Sequence, residues 1–163
     1  MAVIPIRYLP DPVLRKKAKR ISHIDPSINR LIKNMIETMN EANGVGLAAP
    51  QIGASLCLIV IRLPEEGAEE IILINPEIVK RSGEREIEER CLSIPGYSGR
   101  VRRACTVTVK GRDAGWKQVR VKADELLAQA LEHEIDHLDG ILYVDRLESP
   151  ENLIKIEPVE TKA

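Results

Sequence analysis

No run of this sequence is apolar for long enough to cross a bilayer. The longest, Leu56 to Ile61, is six residues, where a membrane-spanning helix needs roughly 20. Charge of one sign is also missing: 24 Lys and Arg face 25 Asp and Glu, a formal net charge of -1. The strongly basic surface on which phosphate binding relies is therefore not expected, and no nucleic acid is expected as the direct substrate. Cysteine is scarce. Cys57, Cys91 and Cys105 are odd in number and lack Cys-x-x-Cys spacing, which points away from a disulfide framework and from a zinc ribbon. The first residues, Met-Ala-Val-Ile-Pro-Ile-Arg, hold neither a basic cluster ahead of a long apolar stretch nor a small-residue cleavage site. No secretory leader is expected, and the cytoplasm is the default location.

What is present is a globular composition, 44% hydrophobic against 30% charged over 163 residues, enough chain for one domain to bury a core without covalent staples. Asp25-Pro26 has the form of a helix start, and Ile28, Leu31, Ile32, Met35, Ile36 and Met39 recur at helical spacing until Asn43-Gly44. This is an amphipathic helix near the N-terminus. Residues 56–62, 71–75, 84–89, 105–110 and 118–122 are short, several are rich in β-branched side chains, and they read as strands. Gly111 to Gly115 makes a hairpin of the last two. A second helix starts after Asp124, whose side chain can cap it, and runs to about His137, where Asp139-Gly140 closes it. Beyond Asp145, Pro150 and Pro158 flank a stretch that suits an extended strand or a loose tail better than a helix. Helices interspersed irregularly with hairpin-like strands give an α+β class, mainly antiparallel short strands packed around the second helix. Arg100, Arg102 and Arg103 form a local basic patch. It reads first as a solvated surface, with contact to ribosomal RNA or to an acidic part of a substrate as the alternative.

The second helix carries His133-Glu134-Ile135-Asp136-His137. Residues four apart share a helix face, so the two imidazoles can grip one metal ion. Glu134 then stands beside the ion without having to ligate it, as a base acting on bound water requires. Two surface histidines are the bland alternative, but the chain has only three histidines and two of them fall at this spacing. Catalytic zinc-type centres usually have three protein ligands and one open position. No histidine follows His137, and the late glutamates lie in the proline-broken tail. Cys57 and Cys105 sit in apolar strand-like runs, as small buried residues do. Cys91 stands in the polar segment Glu88-Glu89-Arg90-Cys91-Leu92-Ser93 and is the best candidate for the third ligand, since a thiolate suits iron or zinc.

Three segments together resemble the peptide deformylase family: Gly44-Val45-Gly46-Leu47-Ala48-Ala49-Pro50-Gln51, Glu89-Arg90-Cys91-Leu92-Ser93 and His133-Glu134-Ile135-Asp136-His137-Leu138, in the family's order and spacing. Pro10-Asp11-Pro12-Val13-Leu14-Arg15 and Asp139-Gly140-Ile141-Leu142 are also similar, so the resemblance covers residues 3–147. It implies a catalytic domain over 1–147 with a tail over 148–163. It implies removal of the formyl group from the N-terminal methionine of nascent polypeptides, with release of formate. One divalent metal ion per chain would be held by Cys91, His133 and His137, ferrous iron natively, with zinc, nickel or cobalt as substitutes. Glu134 would be the acid and base, and the Gln51 amide and the Leu92 backbone N–H would donate to the formyl oxygen. The glycine-rich segment, Gly46 included, would let substrate backbone lie close. Leu126, Gln129 and Ala130 precede His133 by seven, four and three positions and share its helix face. With Val45 and Ile87 they would line a methionine pocket.

Two positions depart from the family's usual pattern: Arg90 stands in place of glycine and Glu132 in place of glutamine. A fully charged guanidinium is costly to bury unpaired, so Arg90 is expected at the mouth of the pocket, pointing outward and paired with Glu88 or Glu132. Glu132 is expected to alter hydrogen bonding around the site. Many bacterial members end in a basic helix that docks on the ribosome, whereas Glu148 to Ala163 is acidic and broken by prolines; that docking is not implied. Two alternatives stay open. A zinc peptidase shares the helix but has its third ligand downstream. A non-catalytic protein held together by metal would need a fourth protein ligand, and the glutamate beside His133 speaks against it.

Overall fold

The structure is a computed structural model that describes residues 2–156. Asp25 caps the first helix, accepting from the Ile28 N–H at 3.0 Å, and Pro26 takes the first turn, where its missing N–H costs nothing. Helix α1 follows over Pro26–Glu41 and buries Ile28, Ile32, Met35, Thr38 and Met39. It ends in two paired bonds, Gly44 N–H to Met39 O at 2.9 Å and Asn43 N–H to Asn40 O at 3.1 Å, with Asn43 at φ 54°. Asn43, rather than Gly44, thus takes the left-handed position of a Schellman stop.

The chain then forms β1 (Gly46–Ala48), a 3-10 turn over Ala49–Ile52, β2 (Leu58–Ile61), β3 (Ile71–Ser82), β4 (Arg85–Cys91), β5 (Ile94–Arg103), β6 (Thr106–Arg112), β7 (Gln118–Asp124), α2 (Glu125–Leu138) and, after short 3-10 turns, β8 (Leu153–Lys155). Five strands make one antiparallel sheet in the order β1-β2-β3-β6-β7, and three make another in the order β4-β5-β8. The α+β class and the antiparallel pairing expected from the sequence are both present.

β2 explains why the longest apolar run lies where it does. Leu58 and Val60 pack with α1 through Ile28, Met35 and Met39, while Ile59 and Ile61 pack on the opposite face with Leu131, Ile135 and Leu138 of α2. Successive side chains of a strand point to opposite faces, so a strand covered on both sides has to be apolar at every position. A third apolar cluster, Cys91, Ile94, Val101, Leu142 and Tyr143, lies with the smaller sheet. α2 is buried without a break from Ala130 to Leu138. That stretch contains Glu132, His133, Glu134, Asp136 and His137, and buried ionisable groups persist only when paired, hydrogen-bonded or bound to metal.

The strand boundaries differ from the sequence expectation in ways that have causes. β3 runs on past Asn75-Pro76 to Ser82, because register shifts between Ile74 and Glu77 and between Ile78 and Lys80 absorb the proline and let pairing with β6 resume. β5 is not among the strands expected from the sequence; its Pro95, Gly96 and Gly99 are residues that disfavour a strand. Asp124 occupies the N-cap position of α2, but its side chain makes no capping hydrogen bond. β8 pairs with β5 through Tyr97–Lys155, Ser98–Ile154 and Gly99–Leu153; the rest of the expected tail, residues 157–163, lies outside the described residues.

Candidate active site

The end of β4 and one face of α2 bring Cys91, His133 and His137 together, with one potential ligand atom from each lying within 4.8 Å of the others. Cys91 arrives there through a register shift that follows Glu89 in the β4–β5 pair. Cys91 Sγ faces His137 Nε2 at 3.3 Å. A sulfur and a nitrogen on adjacent corners of a tetrahedral ion with ordinary bond lengths would be about 3.5 Å apart. His133 Nδ1 meets Glu89 Oε2 at 3.2 Å, which orients the ring and leaves Nε2 free to serve as a ligand. All three residues are buried. One thiolate and two imidazoles fit a divalent first-row ion such as iron or zinc.

A buried ionic network supports this cluster. Arg103 donates to Glu89 through Nε at 3.0 Å and Nη2 at 2.6 Å, and to Asp136 through Nη1 at 2.8 Å. Arg146 donates to Asp136 at 2.6 and 2.8 Å. Burial opposes ionisation of Glu89, but the His133 hydrogen bond and the Arg103 pair win and hold its pKa down at about 2. Burial likewise works against charge on Arg103, and its two carboxylate partners keep it charged. Arg103 had read as part of an exposed patch. It is only 3% exposed, because alternation along β5 turns Arg103 inward while Arg100 and Arg102 face out. Recognition of β5 would have revealed this. Glu89 and Asp136 stand within the second and third motifs, and nothing in the sequence alone pairs them.

Glu134 is buried, and desolvation pushes its pKa up to about 7. Among the described residues its Oε1 has no hydrogen-bond partner. Gly46 makes room for it: a Cβ there would stand 2.5 Å from Glu134 Oε2. Gln51, 1% exposed, accepts from the Ala48 N–H at 2.9 Å and donates through Nε2 to Ser93 Oγ at 3.1 Å, with Cys91 Sγ 3.7 Å away.

A cavity of about 320 Å³ opens onto His133 and Glu134. Val45, Gly46, Leu126, Gln129 and Ala130 line it, as do Gln51, Leu92 and, at its edge, Arg90. Ile87 is not among the lining residues; it is half-buried against the cluster that contains Cys91 and Tyr143. Arg90 is exposed and reaches Glu88 Oε1 at 3.9 Å. Glu132 is not its partner. One oxygen of Glu132 accepts from the Ala104 N–H at 2.7 Å and the other meets Arg81 at 3.2 Å, so its charge faces Arg81 and the backbone between β5 and β6 rather than the cavity.

The chain's similarities agree with this geometry. The family model described as polypeptide deformylase matches residues 3–153. A peptide deformylase of Dehalococcoides mccartyi strain CBDB1 is 58% identical over 158 residues, 97% of this chain and 94% of that protein. The crystal structure of a peptide deformylase from Legionella pneumophila superposes with a TM-score of 0.88 at 50% identity, covering 92% of this chain and 88% of that one. A peptide deformylase from Synechococcus elongatus, solved in complex with actinonin, gives a TM-score of 0.87 at 43% identity over 91% of this chain and 81% of its own. With one fold and nearly the full length in common, this chain belongs to the polypeptide deformylase family.

Proposed function

We propose that this chain hydrolyses the formyl amide of N-formylmethionyl nascent polypeptides, releasing formate and a free amino terminus. The observation that carries the reading is Glu134: a buried carboxylate with an oxygen that has no partner among the described residues, lining a mostly apolar cavity together with His133 and Cys91 of the Cys91, His133 and His137 cluster. Cys91, His133 and His137 would hold a divalent ion, which would supply Lewis acidity toward water and the formyl carbonyl.

The chain's own groups account for the remaining steps. Glu134 takes a proton from the attacking water as the new C–O bond forms, and burial keeps its carboxyl basic enough to do so. It returns that proton to the amine nitrogen as the C–N bond breaks. Gln51, its amide oriented by Ser93 and Ala48, and the Leu92 N–H donate to the formyl oxygen as charge develops there. Glu89 holds His133 in one tautomer and is itself fixed by Arg103. Val45, Gly46, Leu126, Gln129 and Ala130 bound the methionine side chain, and Arg90 stands where the polypeptide leaves. We take residues 1–147 as the catalytic unit and the stretch from 148 on as its appended tail, the cytoplasm as its location, and ferrous iron as its native ion, with zinc, nickel and cobalt suited to the same donors.

The test is formate release by anaerobically prepared protein. Formyl-methionyl peptides should be turned over and acetyl-methionyl peptides much more slowly, since a methyl group would occupy space beside the reacting carbon. X-ray absorption on the loaded protein should show one sulfur and two nitrogens. Cleavage of unblocked internal bonds would instead favour a zinc peptidase, and a shell without sulfur would remove Cys91 from the site.

A further inference from the structure

Arg90 borders two cavities. One is the cavity at His133 and Glu134; the other, about 370 Å³, is lined by Glu88, Ser98, Gly99, Arg100 and the β8 segment Ile154, Lys155 and Ile156. The second lies on the outward face of the three-stranded sheet, where Glu88 stands opposite Arg100 and Ser98 opposite Ile154. Directly opposed residues share a face, so the register places Arg100 and the large apolar Ile154 on one face, while Lys155, opposite Tyr97, borders the groove from the edge strand β8.

The charges on this face are unequally matched. Arg102 is shared among Glu84, Glu86 and Glu148. Arg100 is exposed and, among the described residues, has no carboxylate within ion-pair distance; the same holds for Lys155. Arg90 has only Glu88, at 3.9 Å. Ile154, in the same groove, is 61% exposed. An ordinary solvated face would carry the ions but has no reason to continue into a catalytic cavity. If the first cavity holds formylmethionine, the rest of the polypeptide has to leave across Arg90, and the groove begins there.

We propose that this groove is an extended subsite for the polypeptide beyond its first residues, and that it selects acidic side chains through Arg90, Arg100 and Lys155, with Ile154 taking an apolar one. The inference rests on the deformylase reading and names the substrate preference of that same site. Opposite charges at such a surface set specificity more than affinity, and exposed contacts of this kind are individually weak.

Formyl-methionyl hexapeptides that differ only in carrying Asp or Lys at positions four to six measure the preference as a ratio of kcat/KM. That ratio is independent of the fraction of folded enzyme. At low ionic strength the wild type should favour the Asp peptide by about three- to tenfold, as two or three exposed charge contacts allow. Arg100→Glu, alone and with Lys155→Glu, should bring the ratio to unity or invert it, while Lys33→Glu on the outer face of α1 should leave it as in wild type. Equal use of both peptides by the wild type, or an unchanged ratio in Arg100→Glu, would overturn the groove. Formyl-Met-Ala, too short to reach it, separates the two readings: without formate release from that dipeptide the active site itself is misread, whereas release without discrimination among the hexapeptides removes only the subsite.

Discussion

Replacing Gly46 with alanine would put a methyl carbon 2.5 Å from Glu134 Oε2 and 3.0 Å from its Cδ and Cγ. Carbon and oxygen sit comfortably at about 3.5 Å, so the carboxylate has to retreat by about 1 Å. Gly46 lies in β1, paired with Ile61, and its φ is outside the left-handed region, so alanine suits the backbone and the cost falls on Glu134. A misplacement of about 1 Å in a reacting group costs on the order of 100-fold in rate, equivalent to about 2.7 kcal/mol of barrier. The assay is kcat and KM for a formyl-methionyl tripeptide, with metal content measured on the same preparation. We expect kcat to fall about 100-fold with metal retained, because the three atoms nearest the new methyl all belong to Glu134 and none to Cys91, His133 or His137. The double variant Gly46→Ala, Glu134→Ala should be no slower than Glu134→Ala alone, since the methyl acts only through the carboxylate. A kcat within threefold of wild type at full metal content would refute the placement of Glu134 as the proton carrier.

Arg103→Leu leaves Glu89 and Asp136 buried without their shared cation and should cost about 3–5 kcal/mol in urea unfolding; a loss below about 1 kcal/mol would mean the network is hydrated. Asn75→Ala removes both bonds that clamp Ile21, its Oδ1 accepting from Ile21 N at 2.9 Å and its Nδ2 donating to Ile21 O at 2.7 Å. About 2–3 kcal/mol should be lost, with faster limited proteolysis near Lys19 and Arg20; unchanged proteolysis would show that the N-terminal segment is held elsewhere. Burial of Asp145 works to raise its pKa, but Arg15 and the Leu142 N–H outweigh that and bring it below its ordinary 3.8. Its contribution is therefore present above about pH 4 and lost as pH falls through the lowered value. The Tm gap between wild type and Asp145→Asn should narrow from pH 6 to pH 3, and a gap that widens on acidification would reverse the sign.

Much of the site could be read from residue order because a single helical turn sets it: His133, Glu134 and His137 need only the periodicity of α2. Cys91 required elimination among three cysteines, and the choice rested on its polar neighbours, although in the fold it is buried. What the residue order hides is what depends on pairing between distant strands. Pro95, Gly96 and Gly99 disguise β5, and with β5 unseen Arg103 could not be separated from Arg100 and Arg102. The asymmetry of Gly44 and Gly46 is equally tertiary. Gly46 meets Glu134 across α2, whereas a Cβ on Gly44 would stand 2.8 Å from Leu92 Cδ1. Ile87 shows the opposite error: it shares the strand face of Glu89 and Cys91, as alternation predicts, yet packs into the third apolar cluster instead of lining the cavity. Alternation gives a face, and only the sheet's placement says what that face meets.

The ionisable groups buried on and around α2 also constrain the ion the site can hold. Glu132 is matched by Arg81, and Glu89 and Asp136 together are matched by Arg103 and Arg146. Those pairs sum to zero and leave two groups whose anionic forms have no cation of their own, the Cys91 thiolate and Glu134. Both are buried, and an uncompensated buried charge costs several kcal/mol even after relaxation. In the reading proposed above, an ion of charge +2 among Cys91, His133 and His137 neutralises them together, and the imidazoles contribute donors without charge. A monovalent ion would leave one anion unmatched, and a trivalent ion one positive charge. The same balance suits the role proposed for Glu134: its charge would be compensated by the ion without being bound to it, so it could gain and lose a proton while Cys91, His133 and His137 stay in place.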